Sequence, residues 1–403
     1  MAAWGKGVKL NGGMGKYPQQ KNGSSDTDKV QLIMKRNPNP YEGIDWQKQL
    51  RIEGCTHLHC TSPQAFNALL EQGLEFATLS NYYPSAPYWP IQSIKEHTFD
   101  LGQDSYVCNG KVIRERLDFK TALAQWGEDS SMLPTSEGDK LFPTPPKGFM
   151  EAPNAEHHWF SDYNVYLHIT APGCTLTTGR TRHVPQLDAH GIHLGMPMPW
   201  REGFAALLDT LVCPDGGGII INHPHWSHLP HHFLCELLDF DERVLGMEVF
   251  NADCAEDYTP AAESQWDEVL GTGRQCFGFC VQDHLPSDTL RWTGRSVLLP
   301  EERTVASCLR AYRQGRFYGR VLGHGLDFEF VHFDGRTIDV RCSDDAVLLL
   351  ISHQGVVKEV WKGRDLHYEL RDDAERRDHV FFRVTASNSK TGEKLYTQPF
   401  MLI

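Results

Sequence analysis

No segment of this 403-residue chain approaches the roughly 20 consecutive apolar residues that cross a bilayer as a helix. Residues 1–20 are rich in Gly and Lys and lack an apolar stretch of the secretory type, so no signal peptide is expected. Basic residues are in the minority, 39 Lys and Arg against 52 Asp and Glu, and the net charge is −13. With no Lys/Arg block, nucleic acid is not an expected partner, nor is a membrane. The chain has no Cys-x-x-Cys pair, and its 11 cysteines are scattered. Cys174, Cys213, Cys235 and Cys308 fall in apolar surroundings and read as small buried hydrophobes. That usage implies a reduced, cytoplasmic protein. Gly-x-Ser-x-Gly is missing, which removes the usual serine-nucleophile signature. Gly216-Gly217-Gly218 precedes an apolar run instead of following one, so it is no phosphate-binding loop.

What the chain does have is histidine. There are 20, and 11 of them lie between His157 and His232. Three strand-like runs end in groups able to hold a metal ion. The first closes on His57-Leu58-His59, and two imidazoles two residues apart on a strand share one face. The second, Ile219-Ile220-Ile221-Asn222, ends in His223-Pro224-His225. The third runs from Cys276 to Gln282 and ends in Asp283-His284, a hard carboxylate beside an imidazole. The alternative for each is an ordinary core or turn residue; three such endings on separate strands favour one shared site.

The pattern along the chain places these motifs. Residues 1–45 form an arm with little periodicity, broken by Asn37-Pro38-Asn39-Pro40. Strands are expected over 52–59, 74–80, 165–170, 218–222, 244–251 and 275–282. Helices are expected over 63–71, 204–212, 233–238, 263–270 and 304–314. Near-continuous apolar strands alternating with helices imply an α/β fold with a mostly parallel sheet or barrel, whose sites lie at the C-terminal strand ends. Residues 84–155, rich in Pro, Ser, Asp and Trp, carry no clear elements and read as long loops. Beyond residue 323 the period changes to two. Strands over 326–333, 337–342, 347–353, 356–361, 366–370, 380–387 and 395–403, with no helix between them, imply a small antiparallel β-sandwich over 324–403.

Several pieces together resemble one family, the PHP (polymerase and histidinol phosphatase) superfamily. They are His57-Leu58-His59, Asn222-His223-Pro224, Met247-Glu248-Val249-Phe250-Asn251, the segment from Trp266 to Arg274 followed by Phe277-Gly278 and Asp283-His284, and the segment from Arg313 to Tyr318. The likeness spans residues 46–323, and the ending Tyr396-Thr397-Gln398-Pro399 is similar to the β-domain of one metallohydrolase branch. The resemblance implies a distorted (β/α) barrel holding two or three divalent ions, Mn, Zn or Fe, and hydrolysis by metal-activated water. A phosphoester is the first implied substrate. A carboxylic ester or carbamate, or a degenerate protein that binds metal or carbohydrate only, are the alternatives. The family has an Asp-His pair at its second strand end, where this chain reads Ser80-Asn81-Tyr82. The change removes two ligands and implies two ions before three.

On that resemblance His57, His59, His168, His223, Asp283 and His284 are metal ligands, with Glu156 as the bridging carboxylate and Glu151 its nearest competitor. His225 is a candidate pocket residue and proton donor. Asn81 and Tyr82 stand where ligands would be and are candidates for contacting substrate. Arg180, Arg182 and His183, with His190 and His193 nearby, and Arg274 before the third ligand strand, either clamp an anionic group or are solvated charges. Glu248 and Asn251 end the 244–251 strand, and Glu248 either orients a ligand histidine or plays a structural role. The expected partner is a small molecule, and a homo-oligomer is compatible with the sequence.

Overall fold

The computed structural model describes residues 38–59, 63–80, 105–108, 111–115, 146–158, 160–162, 167–174, 180–181, 193–194, 198–255, 261–284 and 291–402. Its architecture is mixed α/β, with two large sheets and few helices.

The five-stranded sheet carries Glu156 and, beside the ends of its strands, His168 and His223. Its order is Phe277–Val281, Val244–Asn251, Ile219–Ile221, Ile169–Thr170, Glu156–His157. The first three strands run parallel and the last two pair antiparallel. Every residue of Val244–Asn251 and of Phe277–Val281 is buried, as expected of strands covered on both faces. The helix His231–Leu238 turns Phe233, Leu234, Leu237 and Leu238 inward, and the helix Glu263–Leu270 buries Trp266, Val269 and Leu270. Gly278 is required beneath Trp266, because a Cβ there would lie 2.7 Å from the indole.

The second sheet has eleven strands. It runs from Phe328–Phe333 through Thr337–Ser352, Phe381–Ser387, Lys394–Tyr396, Phe317–Val321, Gly294–Leu298, Ile52–Cys55 and Phe76–Ala77 to Met150–Glu151. Val356–Glu369 and Phe400–Met401 branch from it. A short parallel pair, Leu58–His59 with Asp283–His284, follows Ile52–Cys55 of one large sheet and Phe277–Val281 of the other along the chain. The described strands therefore form open sheets, not the closed barrel expected from the sequence.

Other expectations change in detail. The segments 337–342 and 347–353 are one strand, Thr337–Ser352, and 356–361 and 366–370 are likewise one strand, Val356–Glu369. The Ser343-Asp344-Asp345 run, which reads as a turn, is absorbed as a register irregularity between Arg341 and Ala346. These strands join the same sheet as Ile52–Cys55, because Lys394–Tyr396 pairs with Phe317–Val321. A helix does intervene, Asp373–Asp378, capped by the Asp372 side chain accepting from the Glu375 N–H at 2.9 Å. The helix expected over 204–212 is Trp200–Leu208, because Trp200 packs edge-on against Phe204, Phe233 and Phe240 and draws the preceding turn into the core. Within 84–155, Ser105–Cys108 and Lys111–Glu115 form an antiparallel hairpin. Cys174, Cys213, Cys235 and Cys308 are buried, as expected of small hydrophobes. No helix among the described residues is long and apolar enough to cross a membrane.

Candidate metal centre

Three local structures turn the strand ends inward. The Ile52–Cys55 strand leads through Thr56 into Leu58–His59, and backbone bonds from Ser80 N–H to Leu58 O (3.0 Å) and from Asp283 N–H to His57 O (2.7 Å) hold that edge. His57, in the bend that divides the expected strand 52–59, and His59 meet in the cluster, with their Nε2 atoms 3.1 Å apart. At the second strand end His223 sits at φ +24°, and at the third Asp283 sits at φ +63°. A positive φ costs a residue with a Cβ on the order of 1–3 kcal/mol, and such residues concentrate at functional sites.

The donors meet around Glu156. Its Oε2 lies 3.1 Å from His59 Nε2 and 3.5 Å from His57 Nε2. Its Oε1 lies 2.8 Å from His168 Nδ1 and 3.4 Å from His223 Nε2. Asp283 spans the same divide, with Oδ1 3.1 Å from His57 Nε2 and 3.5 Å from His59 Nε2, and Oδ2 3.9 Å from His223 Nε2. Metal–ligand bonds of about 2.0–2.2 Å place neighbouring donors roughly 3.0–3.5 Å apart. The set around His57 and His59 has that spacing. The residues therefore fit a divalent metal, in overlapping groups such as His57, His59 and Glu156, or Glu156, His168 and His223.

Electrostatics point the same way. Burial disfavours charge on His57, but Asp283, Glu156 and Glu248 outweigh it and hold its pKa well above the usual imidazole value. Burial and the nearby His284 push His59 down to about 4, so its ring is neutral at pH 7. Burial would raise the carboxyl of Glu156, yet His57 and His168 hold it well below the usual range. Desolvation of Asp283 is likewise outweighed, chiefly by His57. A core this rich in buried carboxylates needs compensating positive charge. Without metal, a proton on His57 supplies part of it. A divalent ion would displace that proton.

The cavity beside the cluster has a volume of about 130 Å³ and is lined by Glu156, His168, His223, Trp226, Asp253, Cys254, Asp283 and His284. His284 stacks on His59 with ring centroids 4.0 Å apart and planes 10° apart, and its Nε2 is 3.9 Å from Asp283 Oδ1. Thus His57, His59, Glu156, His168, His223, Asp283 and His284 come together. Glu151, beside Ala77 in the other sheet, does not join them.

Two catalytic expectations do not fit this geometry. His225 is exposed and does not line the cavity. The His-x-His reading assumed strand periodicity, but the strand ends at Ile221 and the chain then winds, with Ser227 N–H bonding His223 O and Leu229 N–H bonding Pro224 O. Helix-like spacing sets Trp226 and Ser227, not His225, on the side of His223: the Trp226 ring centroid lies 5.0 Å from that of His223, and Ser227 Oγ 3.0 Å from its Nδ1. Arg274 is also outside the cluster, because its Nε and Nη2 bond Asp239 at 2.9 and 2.7 Å on the surface. Arg274→Ala is expected to leave metal content unchanged and to cost at most about 1 kcal/mol, as for other surface pairs. A large loss of bound metal in elemental analysis would contradict this placement.

Arg180 lies in the short strand Arg180–Thr181, paired with His193–Leu194. Asn81, Tyr82, Arg182 and His183 lie outside the described residues. Trp226, Asp253 and Cys254 gave no sequence signal, because none sits in a recognisable ligand spacing.

The fold and site define a mixed α/β protein with a buried cluster of imidazoles and carboxylates suited to divalent metal. No family model matches the chain. No curated protein matches it either. Among solved structures it is similar to a two-domain protein from Bacteroides vulgatus that contains a predicted PHP-like metal-dependent phosphoesterase, at 10% identity and a TM-score of 0.36, covering 88% of this chain and 94% of that one. So distant a likeness adds nothing about chemistry, and the functional reading rests on the side chains.

Proposed function

We propose that this chain is a metal-dependent hydrolase with two divalent ions, acting on an ester, with a phosphoester favoured. The observation that carries the reading is Glu156, a buried carboxylate whose two oxygens each face a separate imidazole pair. Two cations close together repel, and a carboxylate between them offsets that repulsion. Bound ions of this kind lower the pKa of water toward about 7 and polarise the oxygen of the scissile group. Mn, Zn and Fe all suit a set of imidazoles and carboxylates.

The chain's own residues do the rest. His57, His59 and Asp283 hold one half of the centre, and His168 and His223 the other, with Glu156 shared. Trp226 lines one side of the cavity, its ring edge-on to that of His168. His284, at the cavity wall and grouped with His59 and Asp283, would add a further imidazole to the metal ligands. Among the described residues the cavity wall includes Asp253 and no Lys or Arg.

Protein purified without chelators or a His tag is expected to carry about two ions per chain. It is expected to hydrolyse bis(p-nitrophenyl) phosphate or p-nitrophenyl phosphate, with p-nitrophenyl acetate as the test for the carboxylic ester. Absence of metal, with none taken up from added Mn or Zn, would reject the proposal.

A further inference from the structure

We infer that Glu248 and Asn251 act as a positioning pair that locks both halves of the metal centre into one geometry, an inference that rests on the metal-centre reading above. Neither residue is among the proposed ligands. Glu248 is 1% exposed and Asn251 2%, and both carry polar groups that must be satisfied internally.

They satisfy each other and the site. Glu248 Oε1 accepts from His57 Nδ1–H at 2.7 Å, which turns the His57 Nε2 toward the cluster, where its lone pair would bind an ion once the proton there is displaced. Glu248 Oε2 accepts from the backbone N–H of His223 at 2.7 Å, at the residue whose φ is +24°. The same oxygen accepts from Asn251 Nδ2 at 2.9 Å. Asn251 Nδ2 also donates to Asp283 Oδ2 at 2.8 Å, and Asp283 is the other positive-φ residue of the cluster. The Asn251 carbonyl accepts the Cys254 N–H at 3.0 Å, so the amide orientation is set by the groups around it. One carboxylate thus fixes a ligand of the first half (His57) and the backbone of a ligand of the second (His223), and one amide carries that order to the carboxylate spanning both (Asp283).

The strand is built to allow this. In a regular strand, residues 248 and 251 would face opposite sides. Here the pairing with Phe277–Val281 slips between Glu248 and Phe250, and the bulge returns Asn251 to the side of Glu248. The extra residue serves the site, because a regular ladder would have left Asp283 without its amide donor.

Donor arithmetic defines the test. Glu248 accepts from three donors, and a glutamine there can accept on only one oxygen, so at least one donor meets another donor. Asn251→Asp keeps the shape but replaces an amide donor between two carboxylates with a third carboxylate. The measurements are Zn(II) affinity by competition with a chromophoric chelator, the visible spectrum of the Co(II)-loaded protein, and urea unfolding in EDTA. Glu248→Gln is expected to weaken Zn(II) binding 10- to 100-fold and to shift the Co(II) bands. Asn251→Asp should change both readings in the same direction. A purely structural role would lower the unfolding midpoint in EDTA while leaving Zn(II) affinity and the Co(II) spectrum as in wild type, and that result overturns the inference. Should Glu248→Gln not fold, Asn251→Asp decides on the same two readings. Failure of the wild-type protein to bind Zn(II) or Co(II) overturns the metal-centre reading itself, and is told apart by appearing before any substitution.

Discussion

Replacing Glu156 with Gln is expected to reduce the purified protein from about two ions per chain to one or fewer, and to lower any hydrolytic rate roughly a thousandfold, on the order of 4 kcal/mol of barrier. The reason is geometric. Glu156 presents Oε2 to His57 and His59 and Oε1 to His168 and His223. An amide of the same shape has one acceptor atom, so one imidazole pair would face N–H hydrogens where a cation should be. Asn222 Nδ2 donates to Glu156 Oε1 at 3.1 Å, and Thr170 Oγ1 donates to Asn222 Oδ1 at 3.1 Å. That chain favours keeping oxygen toward His168, and the pair of His57 and His59 would lose its shared oxygen. Elemental analysis of the variant, beside a melting curve showing that it folds, checks the prediction. Two ions per chain in folded Glu156→Gln would remove Glu156 from the bridging role.

The largest expected loss of stability lies elsewhere, at Arg383. Its guanidinium is 1% exposed, bonds both oxygens of Asp267 at 2.6 and 2.7 Å, and lies 4.7 Å over the Trp266 ring. Strand Phe381–Ser387 is thereby fastened to helix Glu263–Leu270, which covers the five-stranded sheet. Burial already pushes the Asp267 carboxyl upward, and Arg383 is the main opposing influence. Removing the arginine strands a buried carboxylate, so Arg383→Ala is expected to cost about 3–5 kcal/mol. The double substitution Arg383→Met with Asp267→Leu should recover most of that loss, because replacing both members of a buried pair with apolar groups is often close to neutral. Urea unfolding of both proteins measures the difference. A loss under about 1 kcal/mol for Arg383→Ala would mean that water reaches the pair.

Both predictions draw on contacts of different legibility. His57, His59, His223, Asp283 and His284 stand out because metal ligands at strand ends follow a strand period and sit beside apolar runs. Glu156 and His168 come only by resemblance, since a lone Glu and a lone His have no periodic signature. His225 misled because the period changes from two to helical after Ile221, at the point where the strand ends. Arg274 misled because nearness in sequence to the Phe277–Val281 strand says nothing of direction, and Asp239, 35 residues away, captures it. The Arg383–Asp267 pair, 116 residues apart, has no local trace.

The same division runs through the fold. Apolar period and turn chemistry act over a few residues, so the sequence by itself determined the buried strands 244–251 and 277–281, the helices Pro63–Glu71 and Glu263–Leu270, and the alternation after residue 323. Which strands pair is a matter of long-range contacts, set by side-chain packing between segments hundreds of residues apart. Only the tertiary structure therefore decided that the C-terminal strands continue the sheet of Ile52–Cys55, that the sheets remain open, and that a bulge after Glu248 brings Asn251 to Asp283. Ligand identity is written in residue type and local period; ligand geometry depends on backbone turns at His223 and Asp283 that the rest of the molecule must hold in place.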